Sequence, residues 1–476
     1  MEFTLQELQA ALPAAKLTGD AGVITRITGL TTDSRKVGAG DLFVALRGEN
    51  FDAHDFLPQV AVAGAAAVIA ERLPTEFSLP ALQVADSKLA LAQVGRFWRQ
   101  QFDLPVIGVT GSNGKTTVKE MISSILAAAF GADGRLATAG NLNNEIGVPL
   151  TIMQLHAGHK AAVIEMGMNH PGEIALLASA AMPTVALVNN AQREHQEFMQ
   201  SVEAVARENG VAIQCLPDNG VAVFPANDTY TSLWQSFASE RGQRKTLTFG
   251  LTFGLTTDAD VHATYLPSVF GSDLQINLAG QVLSVRLNAA GQHNVLNALA
   301  AAACCHATGV SKEAIVAGLE NFAPVNGRLQ RKQAHSGATV IDDSYNANPD
   351  SVRAAIDVLA QIGGDTALVL GDMGEVGENG AQFHHEIGEY AQQRGIKKLF
   401  LLGGLVAHAA QGYGAGAQHF ASVENLCQNL DAQTAADTIV LVKGSRFMKM
   451  ERVVAHLLAT DDTNINASQQ KIIGNH

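Results

Sequence analysis

The sequence predicts an α/β protein of three domains. These are a small α/β N-terminal domain, a central P-loop domain on a parallel sheet with a β flank, and a C-terminal Rossmann-like doubly wound domain. Three observations lead there. A loop, Gly111-Ser112-Asn113-Gly114-Lys115-Thr116-Thr117, follows an almost wholly apolar run at 105–110. Short apolar runs alternate with helical periodicity on both sides of it, which is βαβ logic. The 476 residues are 47% hydrophobic and 16% charged, enough for several cores and too little charge for wholesale disorder.

Residues 1–85 read as the first domain. Asp33-Ser34-Arg35 precedes a glycine-punctuated stretch that encloses the apolar strand 42–46, and 61–70 reads as a helix end running into a strand. The central domain, 86–318, opens on a helix with Ser87 as its cap and Leu91, Val94 and Trp98 on one face. Its strands are expected at 105–110, 162–165 and 185–188. Residues 221–290 read as an antiparallel flank. Leu274, Ile276 and Leu278, then Leu283, Val285 and Leu287, alternate with polar residues around Ala279-Gly280. Residues 294–306 return to helix. The third domain, 319–460, has strand-like runs at 339–341, 367–370, 399–402 and 438–442, and a helix opening at Ser351. Asp342, Asp343, Gly371, Asp372 and Lys443 follow strand ends, where such sheets bind ligands. Residues 461–476 are polar and expected to be a frayed tail.

Charge excludes one class of partner. With 32 basic and 45 acidic residues the net charge is −13, so no nucleic-acid partner is expected. Cys215, Cys304, Cys305 and Cys427 form no C-x-x-C pair and read as buried thiols in a reducing compartment. The first residues lack a basic segment followed by an apolar one, and no apolar run approaches the ~18–20 residues that cross a bilayer. A cytoplasmic protein without a membrane span is expected.

The loop carries the chemistry. Its glycines let amides turn toward a phosphate chain, Lys115 supplies a point charge, and the Thr116 hydroxyl can bind Mg²⁺. The full Walker pattern needs glycine where Val109 stands, so this is a shortened form, G-x-x-G-K-T-T. Glu165 ends a second buried strand and suits Mg²⁺, against the alternative of a capping glutamate. His195, past a third strand and after Asn189-Asn190, reads as a metal ligand or a loop histidine.

Together these pieces resemble the Mur ligase family, ATP-dependent amide-forming enzymes of peptidoglycan synthesis, to about residue 457. The resemblance is carried by Thr32-Asp33-Ser34-Arg35, the phosphate loop, Gly140-Asn141-Leu142-Asn143-Asn144-Glu145-Ile146-Gly147 and Glu165-Met166-Gly167. It continues in Gly291-Gln292-His293-Asn294, Asn326-Gly327-Arg328 and Asp342-Asp343-Ser344-Tyr345-Asn346-Ala347-Asn348-Pro349. Gly371-Asp372-Met373-Gly374-Glu375 and Lys443-Gly444-Ser445-Arg446 complete it. The Tyr-Asn-Ala-Asn-Pro run favours a member that adds D-alanyl-D-alanine to UDP-N-acetylmuramoyl-tripeptide. The alternatives are a single-amino-acid-adding Mur enzyme, a folylpolyglutamate synthase and, from another class, a P-loop switch ATPase.

The resemblance implies ATP and Mg²⁺, with a monomer as the working form. It implies that Ser34 and Arg35 hold the UDP end, and that Asn294, Arg328 and Asp343 join residues 111–117 on the nucleotide. Thr116, Glu165 and His195 would hold Mg²⁺, with Lys115, Glu165 and His195 as the catalytic set. Asn143, Asn144, Tyr345, Asn346, Asn348 and Lys443 would line the substrate sites, Asn346 and Asn348 being turn formers on the other reading. Many members carry a carbamylated lysine after the histidine. Here Asn209 takes that position in Val205-Ala206-Arg207-Glu208-Asn209-Gly210, and Glu208 is the expected source of the missing charge. The implied chemistry is phosphorylation of the tripeptide carboxylate, then attack by the dipeptide amine. The base is open: His384 and His385 are candidates, or residues of a solvated helix face. Closure of the C-terminal domain on nucleotide is expected.

Overall fold

The computed structural model describes residues 1–19, 24–48, 50–194, 196–242, 244–252 and 258–459. The expected tail lies outside them.

Near the N-terminus a five-stranded sheet runs in the order Lys16–Thr18, Ala81–Gln83, Ala67–Ala70, Asp41–Val44, Gly29–Thr31. Its strands are parallel except for the first. The helix Leu57–Val62 leads toward Ala67–Ala70, as the sequence led one to expect. Phe3 ties this unit to the next. Its ring lies 5.4 Å from Phe97 and 5.9 Å from Trp98, whose indole N–H donates to the Leu155 carbonyl at 3.0 Å. One apolar core therefore continues from the first sheet under the second. The joining helix is Ser87–Arg99. Its cap is Asp86 rather than Ser87: the Asp86 carboxylate accepts the Lys88 and Leu89 amides at 2.8 and 2.9 Å. An anionic cap also answers the positive end of the helix.

The central sheet has nine strands. In order they are Arg135–Ala137, Ala161–Glu165, Val106–Thr110, Val185–Val188, Val221–Pro225, Lys245–Leu251, Val261–Pro267, Ser272–Leu278 and Gln281–Leu287. The hairpin is where the alternation put it. Ala279 and Gly280 both take positive φ, 50° and 75°, the two-residue turn whose twist matches the strands. The flank is otherwise corrected. Strands 221–225, 245–251 and 261–267 extend the parallel sheet, and antiparallel pairing starts only at Ser272–Leu278. The helix Thr231–Ser239 supplies the crossover that the first of these parallel pairs needs. At the far edge, the Arg286 amide donates to Glu320 Oε1 at 3.2 Å, and Lys312 Nζ reaches Gln281 at 3.1 Å.

The C-terminal sheet runs Gln330–Gln333, Thr339–Asp343, Thr438–Lys443, Asp365–Gly371, Lys398–Leu402, Ala417–Phe420, parallel after its first strand. The last strand in chain order, Thr438–Lys443, sits between the first two parallel ones, so Asp343 and Lys443 lie side by side. The helix expected at Ser351 begins earlier, as Pro349–Ile362. Asn348 caps it, accepting the Ser351 amide at 2.8 Å while Ser351 Oγ accepts the Asn348 amide at 3.0 Å. Cys304, Cys305 and Cys427 are buried, as expected of structural thiols, but Cys215 is exposed. Among the described residues no helix is long and apolar enough to cross a membrane.

Candidate active site

The phosphate loop joins the strand Val106–Thr110 to the helix Lys115–Phe130. Gly111 and Gly114 take φ of 129° and 82°. A Cβ on Gly114 would lie 2.5 Å from Asn297 Oδ1, and one on Gly111 would lie 3.0 Å from the Asn189 amide nitrogen. Both turns therefore require glycine. A layer of amides holds the loop from beneath. Gly111 N–H donates to Asn209 Oδ1 at 2.9 Å, and Asn113 N–H to Asn190 Oδ1 at 2.9 Å. Asn189 Nδ2 donates to the Asn113 carbonyl at 2.8 Å and to Asn297 Oδ1 at 2.9 Å. Asn297 in turn donates to Asn294 Oδ1 at 3.1 Å. The first turn of the helix, with its unpaired amides and positive end, is left facing a cleft of about 990 Å³.

Lys115 is folded back. Its Nζ donates to the Gly111 and Ser112 carbonyls at 2.5 and 3.2 Å, and to Glu194 Oε1 at 2.7 Å. Glu165 ends the strand beside the loop, in register with Val109, and is 2% exposed. Its Oε1 accepts from Thr116 Oγ1 at 3.2 Å and Asn143 Nδ2 at 2.8 Å. Its Oε2 is buried with no hydrogen-bond partner. A buried carboxylate oxygen left bare is costly, and a hard cation supplies what it lacks. No group of three or more His, Cys, Asp or Glu converges for a metal among the described residues. Mg²⁺ needs no such cage, because it keeps waters and phosphate oxygens as ligands, so Glu165 and Thr116 fit it. His195 lies outside the described residues.

The C-terminal domain forms the opposite wall. Lys443 Nζ donates to Asp343 Oδ2 at 2.6 Å and to the Asn346 carbonyl at 2.9 Å. Burial raises the Asp343 pKa, while Lys443, Arg328 and the Leu329 amide pull it back. The Arg328 guanidinium lies 4.4 Å over the Tyr345 ring. Asn348 crosses to the phosphate loop, donating to Asn113 Oδ1 at 2.9 Å.

The expected residues divide clearly. Loop residues 112–117, Asn143, Asn144, Glu165, Asn294, Arg328, Asp343, Tyr345, Asn346, Asn348 and Lys443 all line one cleft, and Gly111 lies behind it with its amide on Asn209. Asn144 does so while capping the helix Gly147–Ile152 through the Gly147 amide at 2.8 Å. Ser34 and Arg35 do not line it. Arg35 is exposed and bonded twice to Asp33, at 2.8 and 2.9 Å, which holds the Asp33 carboxyl down to about 2. Glu208 is not beside the loop either. Its carboxylate caps the helix Glu173–Ala181 through the Ile174 amide at 2.9 Å. Neighbours on a helix point about 100° apart, so Asn209 faces the loop and Glu208 cannot. His384 is no base: Nε2 accepts the Met373 amide at 2.9 Å and Nδ1 donates to the Gly380 carbonyl at 2.7 Å. His385 faces solvent beside Glu389, 3.4 Å away. Nothing local in the sequence marks Asn209 and Asn297 as loop supports, or Gln192, Arg193 and Glu194 as residues of the site. The only signal was the Asn189-Asn190 pair after a parallel strand.

Two histidines set an acid limit on stability. Burial lowers His293 to about 4, helped by Lys443 and opposed by Asp357. Burial also lowers His384, against the Gly380 carbonyl and Asp372. Between the unfolded value near 6.5 and these lowered values the unfolded chain holds more protons. Their contribution is therefore harmless above pH 6.5 and turns destabilising as pH falls toward 4, by at most about 1.4 kcal/mol per pH unit for each. Denaturant melts from pH 7 to 5 should show this slope, and His384→Gln should flatten it. An unchanged slope would remove His384 from the account.

Known proteins match along nearly the whole chain. Residues 26–93 match the Mur ligase family catalytic domain, 109–305 the Mur ligase middle domain, and 327–446 the Mur ligase glutamate ligase domain. The UDP-N-acetylmuramoyl-tripeptide–D-alanyl-D-alanine ligase of Escherichia coli (strain K12) is 40% identical over 94% of this chain and 96% of its own. A crystal structure of MurF from Acinetobacter baumannii aligns with a TM-score of 0.88 at 36% identity, covering 96% and 99% of the two chains. MurF ligase from Thermotoga maritima in complex with ADP aligns at 0.80 and 27% identity, covering 90% and 96%. With three matched segments in order and this identity over nearly its full length, the chain belongs to the Mur ligase family.

Proposed function

We infer that this chain is the ATP-dependent ligase that joins D-alanyl-D-alanine to UDP-N-acetylmuramoyl-tripeptide in peptidoglycan synthesis. The observation that carries it is the bare Glu165 oxygen beside Thr116 at the head of a phosphate loop, in a cleft shared with the C-terminal domain. The loop amides and the helix end receive the phosphates, and Lys115 leaves its carbonyl partners to offset charge on the group in transfer. Glu165 and Thr116 would hold Mg²⁺, which neutralises phosphate charge when bound. His195 is proposed as a further ligand. Asn294, Arg328 and Asp343 are proposed to orient the nucleotide, and Ser34 and Arg35 to grip the uridine diphosphate end from outside the cleft.

The tripeptide carboxylate attacks the γ-phosphorus, and ADP departs. The dipeptide amine then attacks the acyl phosphate, releasing phosphate and forming the amide. Asn346, Lys443 and the Tyr345 ring form the wall proposed to seat the dipeptide. Both UDP-linked substrate and ATP are cytoplasmic, which is where the step is proposed to run. ADP release tests the reading. It should require UDP-N-acetylmuramoyl-tripeptide and D-alanyl-D-alanine together, and neither glutamate nor single amino acids should replace the dipeptide. Equal turnover with glutamate would overturn it.

A further inference from the structure

One stretch, Gln192-Arg193-Glu194, touches three separate parts of the machinery. Gln192 Oε1 accepts Asn113 Nδ2 at 2.6 Å, and its amide donates to Ser112 Oγ at 2.9 Å. Arg193 reaches across to the C-terminal domain. Its backbone amide donates to Asp350 Oδ2 at 3.0 Å, its Nη2 lies 2.6 Å from Asp350 Oδ1, and its Nη1 lies 3.6 Å from Glu386. Its guanidinium also lies 5.2 Å from the Phe383 ring centre. Glu194 holds Lys115 at 2.7 Å, both side chains being largely buried.

Two of the anchors on the C-terminal domain fall within one helical turn. Asn348 caps the helix Pro349–Ile362 and binds Asn113, and Asp350 in that first turn binds Arg193. The stretch that docks this helix is thus continuous with the residue that occupies the lysine.

We propose that Arg193 and Glu194 are a positioning pair for nucleotide use. Glu194 keeps Lys115 turned away from the phosphate position, and Arg193 makes that hold depend on where the C-terminal domain sits. The physical basis is competition. A partly buried ammonium has a strong preference for an anion, and Glu194 and a nucleotide phosphate offer it alternatives. While Arg193 is docked, Glu194 is fixed within reach of Lys115. When closure on nucleotide re-seats the docked helix, the stretch loosens and the lysine passes to the phosphate. The inference rests on the loop's being a nucleotide site, as proposed above.

The test is binding of a non-hydrolysable ATP analogue with magnesium, by calorimetry, to the full chain and its variants. Glu194→Gln should bind it roughly ten-fold tighter, because the competing anion is gone. Glu194→Asp keeps the charge and should return affinity to within about two-fold of the unaltered chain. Arg193→Ala should enlarge the nucleotide-free radius of gyration. Added to Glu194→Gln, it should give no further tightening, since both act through one lysine. In turnover, the KM for ATP should fall with Glu194→Gln while kcat does not rise, as for binding gained equally in ground and transition states. Thermal melts establish that each variant is folded. If the unaltered chain binds and Glu194→Gln binds equally or more weakly, or if the two changes add, the pairing is wrong. If the unaltered chain fails to bind at all, it is the nucleotide reading that falls.

Discussion

Lys115→Ala is expected to lower kcat by about 10³-fold, near 4 kcal/mol of transition-state stabilisation, while leaving the fold intact. Three features set that size. Lys115 is the first residue of the helix Lys115–Phe130, so its ammonium stands directly beside the loop. Its present partners are two loop carbonyls and Glu194, which it can exchange for phosphate oxygens without moving the backbone. The loop itself is held by Asn209, Asn190 and Asn189, not by the lysine, so its shape survives the loss. Single-turnover measurements at saturating ATP separate this from weakened binding. If full condensing activity persisted, the phosphate-loop account would be void.

Glu165→Gln is expected to move activity and stability in opposite directions. The replacement is the same size, so packing at the strand end is kept. It removes a buried negative charge whose Oε2 has no hydrogen-bond donor, and on that ground should raise resting stability by about 1 kcal/mol. The same loss should cut turnover about 10²-fold and raise the half-saturating Mg²⁺ concentration at least roughly ten-fold, since a neutral amide is a weak ligand for a hard cation. Melting in EDTA and turnover across a Mg²⁺ series read the two effects separately. Turnover with unaltered Mg²⁺ dependence would exclude Glu165 from the metal site. A fall in EDTA stability would show that Oε2 is satisfied within the protein.

What could be read from the sequence was what is local. The loop, its flanking strand and helix, and the carboxylate at the end of the next strand lie within spans whose pattern needs no partner. So does the hairpin, because Ala279-Gly280 sits between two alternating runs. The amides under the loop were not legible as a group. Asn209 lies 98 residues from Gly111, and Asn348 lies 235 from Asn113, so only the folded topology brings them together. Pattern also cannot distinguish parallel from antiparallel pairing when the intervening helix, Thr231–Ser239, is not recognised. That is how strands 221–267 came to be read as an antiparallel flank. Glu208 failed for a simpler reason: one residue along a helix is a different face.

The helix Lys312–Glu320, which lies against Gln281–Leu287 and carries the Lys312 and Glu320 contacts at that edge, has a bearing on how the molecule behaves among its own copies. A long sheet usually ends in a row of open amides and carbonyls that a second chain can zip onto. Here a foreign strand arriving at Arg286 finds that N–H already given to Glu320, and the Gln281 side chain held by Lys312. At that N–H the nine-stranded sheet is capped by its own chain, which removes one of the donors that a foreign strand would need in order to pair there.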